Sequence, residues 1–301
     1  MELWIPITLA AAFFQNTRSA LQKHLKGRMG TSGATFARFC FAFPFAWAYV
    51  FGLNTIAGLP VPLWSSTFLI YSVIGGASQI IATALLIHLF SYRNFTVGTT
   101  FSKTETVQAA LFGLIILGDA ISFPAMLAIF ISLIGVIIIS TARPTHQGAN
   151  IWASLTGKPA LLGIASGACF GISAVSYRAA SLSLNMESAV MSAAFTLATV
   201  TVMQTIAMAI YMFVRQPGEI SKVFKAWRIS SMVGLTGMIA SVGWFTAMTL
   251  QNAAYVRALG QVELIFTFAA SIFIFKEHIN RAEIIGILFV TLGILGLVFY
   301  R

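Results

Sequence analysis

Ten apolar runs, each roughly 20 residues long, follow one another with only short polar breaks between them. They cover about 3–22, 33–53, 67–90, 95–117, 123–142, 159–180, 188–213, 230–251, 254–275 and 282–300. About 20 residues of α-helix cross a bilayer core. In hydrocarbon the backbone must satisfy its own hydrogen bonds, so only helices and closed barrels span. The runs are continuous and lack the two-residue alternation of barrel strands. The expected fold class is therefore an all-α integral membrane protein with ten transmembrane helices. Composition agrees: 58% of residues are hydrophobic and 9% charged, against about a quarter charged in a soluble domain.

The net charge of +10 suggests nucleic acid at first sight. The charges have no soluble domain to sit on, so nucleic acid is not an expected partner and the lipid bilayer is. Connections after odd-numbered runs hold twelve Lys or Arg residues, from Lys23 to Arg281, and those after even-numbered runs hold none. Basic residues stay on the cytoplasmic side. This puts the odd connections in the cytoplasm and both termini outside, in a cell membrane expected to be a bacterial inner membrane. Glu2, with no basic residue before Leu3, argues against a cleaved signal peptide. Cys40 and Cys169 fall inside runs and imply no disulfide framework.

The chain also repeats itself. A shift of 158 positions carries Glu105 onto Glu263, Asp119 onto Glu277, Gly135 onto Gly293 and Asn94 onto Asn252. Four of only eight acidic residues thus pair at one offset, which marks an internal repeat. The expected organisation is a first five-helix repeat at 1–142, a cytoplasmic connection at 143–158 and a second repeat at 159–301. With an odd number of spans in each, the second repeat enters the membrane upside down.

Glu105 and Glu263 lie mid-span, where a carboxylate costs several kcal/mol unless paired or facing a cavity. On a helix, Thr99, Lys103 and Thr106 share a face, as do Arg257, Gln261 and Leu264 in the later run. If both spans face one cavity, it holds Lys103, Arg257, Glu105 and Glu263. Such a set can bind a zwitterion, its carboxylate at Arg257 or Lys103 and its ammonium at a glutamate. It can also relay protons, since desolvation raises a glutamate's affinity for one. The alternative is mutual neutralisation, Glu105 with Lys103 and Glu263 with Arg257. Gln15, Asn16 and Gln79 are candidates to line the same cavity. Tyr177 and Trp244 can stack on a ligand, although aromatic residues in a span are more often packing. Arg18, Arg38 and Arg178 read as side chains reaching toward span ends. His88 has no acid or second His at ligand spacing, so no metal site is expected. No cofactor is implied.

Smaller signals set the outline. Pro124 and Pro159 open spans, while Pro6 and Pro44 lie within them and predict kinks. Gly75-Gly76, and Gly234 with Gly237, allow close helix approach. Ile220, Val223, Phe224 and Trp227 recur at helical spacing among Lys222, Lys225 and Arg228. That suits either a short helix lying on the cytoplasmic leaflet or a basic loop that fixes topology.

Taken in order, these features resemble the EamA family of the drug/metabolite transporter superfamily. The residues that carry the resemblance are Gly118-Asp119 and Lys276-Glu277, the later Gly135 and Gly293, and Arg38-Phe39 in the second span. It covers nearly the whole chain. The chain departs from many members in having Thr106 and Leu264 beside its glutamates where they have a mid-span Pro. The resemblance implies export or exchange of small metabolites, amino acids or drugs from a central cavity between the repeats. The expected function is a secondary transporter with a small-molecule substrate, monomeric with a dimer left open, and no catalytic residues. Two alternatives stand beside it: a membrane enzyme acting on a lipid-linked substrate, and a sensor without transport. No nucleophile, base and orienter fall together, and no H-E-x-x-H or nucleotide-binding P-loop pattern occurs, which disfavours an enzyme or an ATP-driven pump.

Overall fold

A computed structural model describes residues 2–26, 28–89, 101–141, 157–273 and 280–300. Asn94, Thr99, Lys276, Glu277 and most of the 143–158 connection lie outside the described residues. Thirteen helices and no strands occur among those described. They are α1 (Trp4–Lys26), α2 (Thr31–Cys40), α3 (Phe43–Thr55), α4 (Ser66–Leu89), α5 (Glu105–Leu117), α6 (Phe123–Thr141) and α7 (Lys158–Ser183). Then follow α8 (Ala189–Arg215), α9 (Glu219–Lys225), α10 (Trp227–Leu250), α11 (Ala253–Leu259), α12 (Val262–Phe273) and α13 (Arg281–Tyr300). Among the described residues six helical stretches are long and apolar enough to cross a membrane: 31–55, 66–86, 158–183, 189–215, 227–250 and 281–299. The chain divides into two compact units, residues 1–80 with 176–251 and residues 81–175 with 252–301. Each unit draws on both halves of the sequence.

In the first unit α1 runs along α10, and α8 packs against α2, α3 and α10. The second apolar run is two helices. It breaks at Phe41–Ala42, and Pro44 sits in the first turn of α3, where a missing N–H does no harm. Pro6 too falls in the first turn of its helix, where its missing N–H leaves no helical hydrogen bond unmade. Gly234 brings α10 against α2: a Cβ there would stand 2.4 Å from that of Phe41. Gly75 meets the ring of Tyr177 at 2.6 Å in the same way. Between α8 and α10 the short helix α9 forms, one of the two readings the spacing allowed. Its Val223 is fully buried, however, in a cluster with Leu25, Met29, Phe36 and Met212. Phe224 and Trp227 stay exposed, while Val223 anchors α9 to the protein. Glu219 opens this helix and accepts a hydrogen bond from the Gly30 N–H at the start of α2, 2.9 Å away.

The second unit centres on α6 and α13, which pack side by side along their lengths. Glycines set that approach. A Cβ on Gly135 would lie 2.5 Å from the Gly286 carbonyl oxygen and 2.6 Å from the Val290 nitrogen. One on Gly293 would lie 2.6 Å from the Ser132 nitrogen and 2.7 Å from the Ala128 carbonyl oxygen. At the end of α5, Gly118 takes φ +69° and closes the helix. Its N–H bonds Leu114, and that of Asp119 reaches back to Gly113. This αL closure is open to glycine at no steric cost, which explains the Gly-Asp pair in structural terms. Asn280 and Glu283 cap α13 reciprocally: Asn280 Oδ1 accepts from the Ala282 N–H, and Glu283 from the Asn280 N–H at 2.9 Å.

Candidate functional site

The fourth and ninth apolar runs are not the continuous helices their hydrophobicity predicts. One breaks at Lys103–Thr104, just before α5, and the other at Gly260–Gln261, between α11 and α12. Both pass through tight i→i−3 bonds. Thr104 N–H donates to Phe101, Gln261 N–H to Ala258 and Glu263 N–H to Gly260, each at 3.1 Å. The local causes differ. Thr104 Oγ1 donates to the Phe101 carbonyl at 2.6 Å, competing with the helical ladder. Gly260 brings the low helix propensity of glycine. Each break starts a half-helix with a glutamate in its first turn, Glu105 in α5 and Glu263 in α12. The positive end of the helix dipole favours a carboxylate there.

The breaks bring the predicted charges together in a different pairing. Lys103 Nζ bonds Glu263 Oε1, and Arg257 Nη1 stands 3.7 Å from Glu105 Oε1. Gln261 Nε2 donates to Thr106 Oγ1 at 3.1 Å. The alternative in which Glu105 pairs with Lys103 and Glu263 with Arg257 is therefore corrected: each glutamate takes its cation from the other half of the sequence. On an unbroken helix Lys103 and Glu105 point to different faces, and Arg257 and Glu263 are more than a turn apart. The side chains are mostly buried, with 28% of Lys103 and 11–15% of Arg257, Glu105 and Glu263 exposed. Charges this far out of water are retained only when paired in this manner. Glycines of α7 hold the first break in place. A Cβ on Gly167 would lie 2.9 Å from the Ser102 carbonyl, and one on Gly171 3.1 Å from the Ala109 nitrogen. Their spacing of four residues was the sequence signal for this close contact.

The remaining candidates lie in the first unit. Gln79, Tyr177 and a residue the sequence reading missed, Gln204, form a buried polar cluster. Tyr177 Oη is 3.0 Å from Gln79 Oε1. Gln204 Nε2 donates to Gln79 Oε1 at 2.7 Å and lies 3.2 Å from Tyr177 Oη. The Tyr177 ring stacks on Phe245 with centroids 4.4 Å apart, so it packs against protein. Trp244 is buried in α10, and Gln15 and Asn16 are half-buried on α1. Two of the arginine readings change. Arg178 does not reach toward a surface: its Nη1 donates to the carbonyls of Met248, Thr249 and Gln251 at 2.8, 3.2 and 2.9 Å, closing the C-terminal end of α10. Arg18 is 8% exposed; it lies against Gly237 instead of extending outward.

Helices of spanning length, with paired charges held at breaks in two of the apolar runs, define a multi-pass membrane protein. Residues 157–299 match the EamA-like transporter family, which is part of the drug/metabolite transporter superfamily. Members of that superfamily are membrane transporters, not enzymes. No curated protein matches the chain. Among solved structures 28 chains match. One, titled only as a crystal structure of a protein, aligns with 97% of this chain and 94% of its own at a TM-score of 0.72 and 14% identity. At that identity the likeness concerns the fold alone.

Proposed function

We propose that the chain is a secondary transporter, an exporter or exchanger of small polar or amphipathic metabolites such as amino acids. It would work by alternating access of two inverted five-helix repeats, residues 1–142 and 159–301, in a bacterial inner membrane. The observation that carries this reading is the crossed pairing of Lys103 with Glu263 and Arg257 with Glu105. Broken helices at equivalent places in two repeats are where secondary transporters bind substrate and coupling ions. A zwitterion offers one carboxylate and one ammonium, so it can take over one partner of each kind without leaving a charge uncompensated. Protonation of a glutamate frees a cation in the same way and gives a route to proton coupling. Gln261 and Thr106 add neutral donors and acceptors beside the pairs.

The contacts of α6 and α13 support the repeat. Gly135 meets residues 286 and 290, while Gly293 meets 128 and 132. Adding 158 to 128, 132 and 135 gives 286, 290 and 293. A reciprocal contact of this kind is what a two-fold axis produces. Counterflow into liposomes tests the transport reading. Vesicles holding the purified chain and loaded with an unlabelled amino acid should accumulate the labelled one above its outside concentration. If none of the standard amino acids exchanges faster than in protein-free vesicles, the amino-acid reading falls.

A further inference from the structure

The short helix α9 joins α8 to α10, both long enough to span, so it sits where the chain leaves the membrane. Three contacts fix its roll. Val223 is buried among Leu25, Met29, Phe36 and Met212, the Val223 carbonyl accepts from Ser230 Oγ at 3.1 Å, and Glu219 holds the Gly30 N–H. With Val223 turned inward, Lys225 falls on the far side of the helix, and Lys222 and Phe224 lie on its two flanks. The backbone leaves helical geometry at Ala226, and Trp227 and Arg228 then begin α10. Arg215 at the end of α8, Lys222, Lys225 and Arg228 are all exposed, as are Phe224 and Trp227. The Arg228 guanidinium stands 5.7 Å from the centre of the Trp227 ring. Glu219 is the one acid between Arg215 and Arg228. Its carboxylate already accepts from Lys222 at 2.5 Å as well as from Gly30. Among the described residues no carboxylate pairs with Arg215, Lys225 or Arg228.

We propose that α9 and the first turn of α10 form a binding surface for anionic phospholipid, held by its headgroup phosphate. Arg215, Lys225 and Arg228 supply the positive charge that a phosphate takes. Phe224 and Trp227 lie beside them, as amphipathic rings do at the depth where headgroups meet acyl chains. A basic excess alone is enough to orient a chain, and it asks for no exposed rings among the cations. The connection is too short to lift those rings away from the bilayer, which favours lipid over an acidic segment of another protein. The proposal does not depend on what the chain transports.

Trp227 can report on its own lipid neighbours. The full chain is reconstituted in dioleoylphosphatidylcholine vesicles, and brominated phosphatidylglycerol or brominated phosphatidylcholine is titrated in. The quenching that Trp227→Phe loses is the Trp227 signal. In low salt the anionic lipid should compete for this place at least about fivefold more strongly than the neutral one, the effect of one Lys or Arg near an anionic surface. In about 1 M salt, where charges are screened within about 3 Å, the preference should fade. Lys225→Gln should reduce it and Lys225→Arg should keep it. Arg215→Gln, Lys225→Gln and Arg228→Gln together should remove it; if that triple variant does not insert, the two Lys225 variants decide. Lys158→Gln takes away an exposed cation at the start of α7 and should change nothing. Equal quenching by the two lipids overturns the proposal, as does a preference that survives the triple variant. Loss of preference in Lys158→Gln overturns it too, because the basic excess then acts as a whole and not at α9. If neither lipid quenches Trp227, the surface faces protein or water and the lipid reading falls.

Discussion

Removing one charge from a buried ion pair strands the other and costs about 3–5 kcal/mol. Glu263 and Lys103 form such a pair, so three variants distinguish a transport site from a structural staple: Glu263→Gln, Lys103→Gln and both together. For a staple, each single variant melts early, and the double variant recovers both melting temperature and flux. For a transport site, Glu263→Gln remains folded, its flux is lost or no longer varies with pH, and adding Lys103→Gln restores nothing. The second pattern is expected, read by melting in detergent and by counterflow. Glu219 makes a separate prediction, on stability against pH. The hydrogen bond from Lys222 lowers its carboxyl's pKa, the Gly30 N–H adds to this, and burial opposes both. A carboxylate with a lowered pKa stabilises the fold above the ordinary value, near 4.3, and that stability disappears as pH falls through the lower folded value. Glu219→Gln should therefore be less stable than the parent at pH 7, by about 0.5–1 kcal/mol for a lost anion at a helix N-terminus. The gap should close below about pH 4, as melting curves at both pH values will show.

Helix contacts depend on glycine in this chain, and the contact between α6 and α13 does so most. Gly135→Ala and Gly293→Ala each place a methyl group under 3 Å from the opposite backbone, which can yield only by separating the helices. Each should cost about 1–3 kcal/mol, the usual range for overpacking. Gly52→Ala is the control, because a Cβ there meets nothing within 4 Å. It should be neutral or stabilising, by up to about 1 kcal/mol, through helix propensity. Melting temperatures of the three variants make the comparison, and equal behaviour of all three would refute it. These elements also show what was legible in advance. Gly135 and Gly293 stood out because they repeat at one offset. The breaks at Lys103 and Gly260 did not, because no proline marks them and apolar flanks make a broken span look continuous. The broken phase is why Lys103 faces Glu263. Gln204 escaped notice because a single amide in an apolar run looks like packing until Gln79 and Tyr177 are seen beside it.

At the scale of the whole molecule, charge outside the helices and repetition inside them make a joint claim about topology. Lys222, Lys225 and Arg228 follow the seventh apolar run, and residues 54–66, which hold no Lys or Arg, follow the second. Moving back 158 positions from the basic connection lands at 57–70, beside and within the uncharged one. The two connections are thus near-equivalents in the repeat, and an inverted architecture requires them on opposite sides of the membrane. The basic excess predicts that the connection holding Lys222, Lys225 and Arg228 is the inner one. Leu63 is 90% exposed, and Lys225 is exposed at the end of α9, so single cysteines at 63 and 225 report both sides with little disturbance. Cys40 and Cys169 are free thiols and must first be replaced by serine. In intact cells an impermeant maleimide should label Leu63→Cys at once, and Lys225→Cys only after the membrane is opened. If both cysteines label from the same side, the second repeat is not inverted relative to the first. If they label in the reverse order, the inversion stands and the basic connections face outward, against the charge rule.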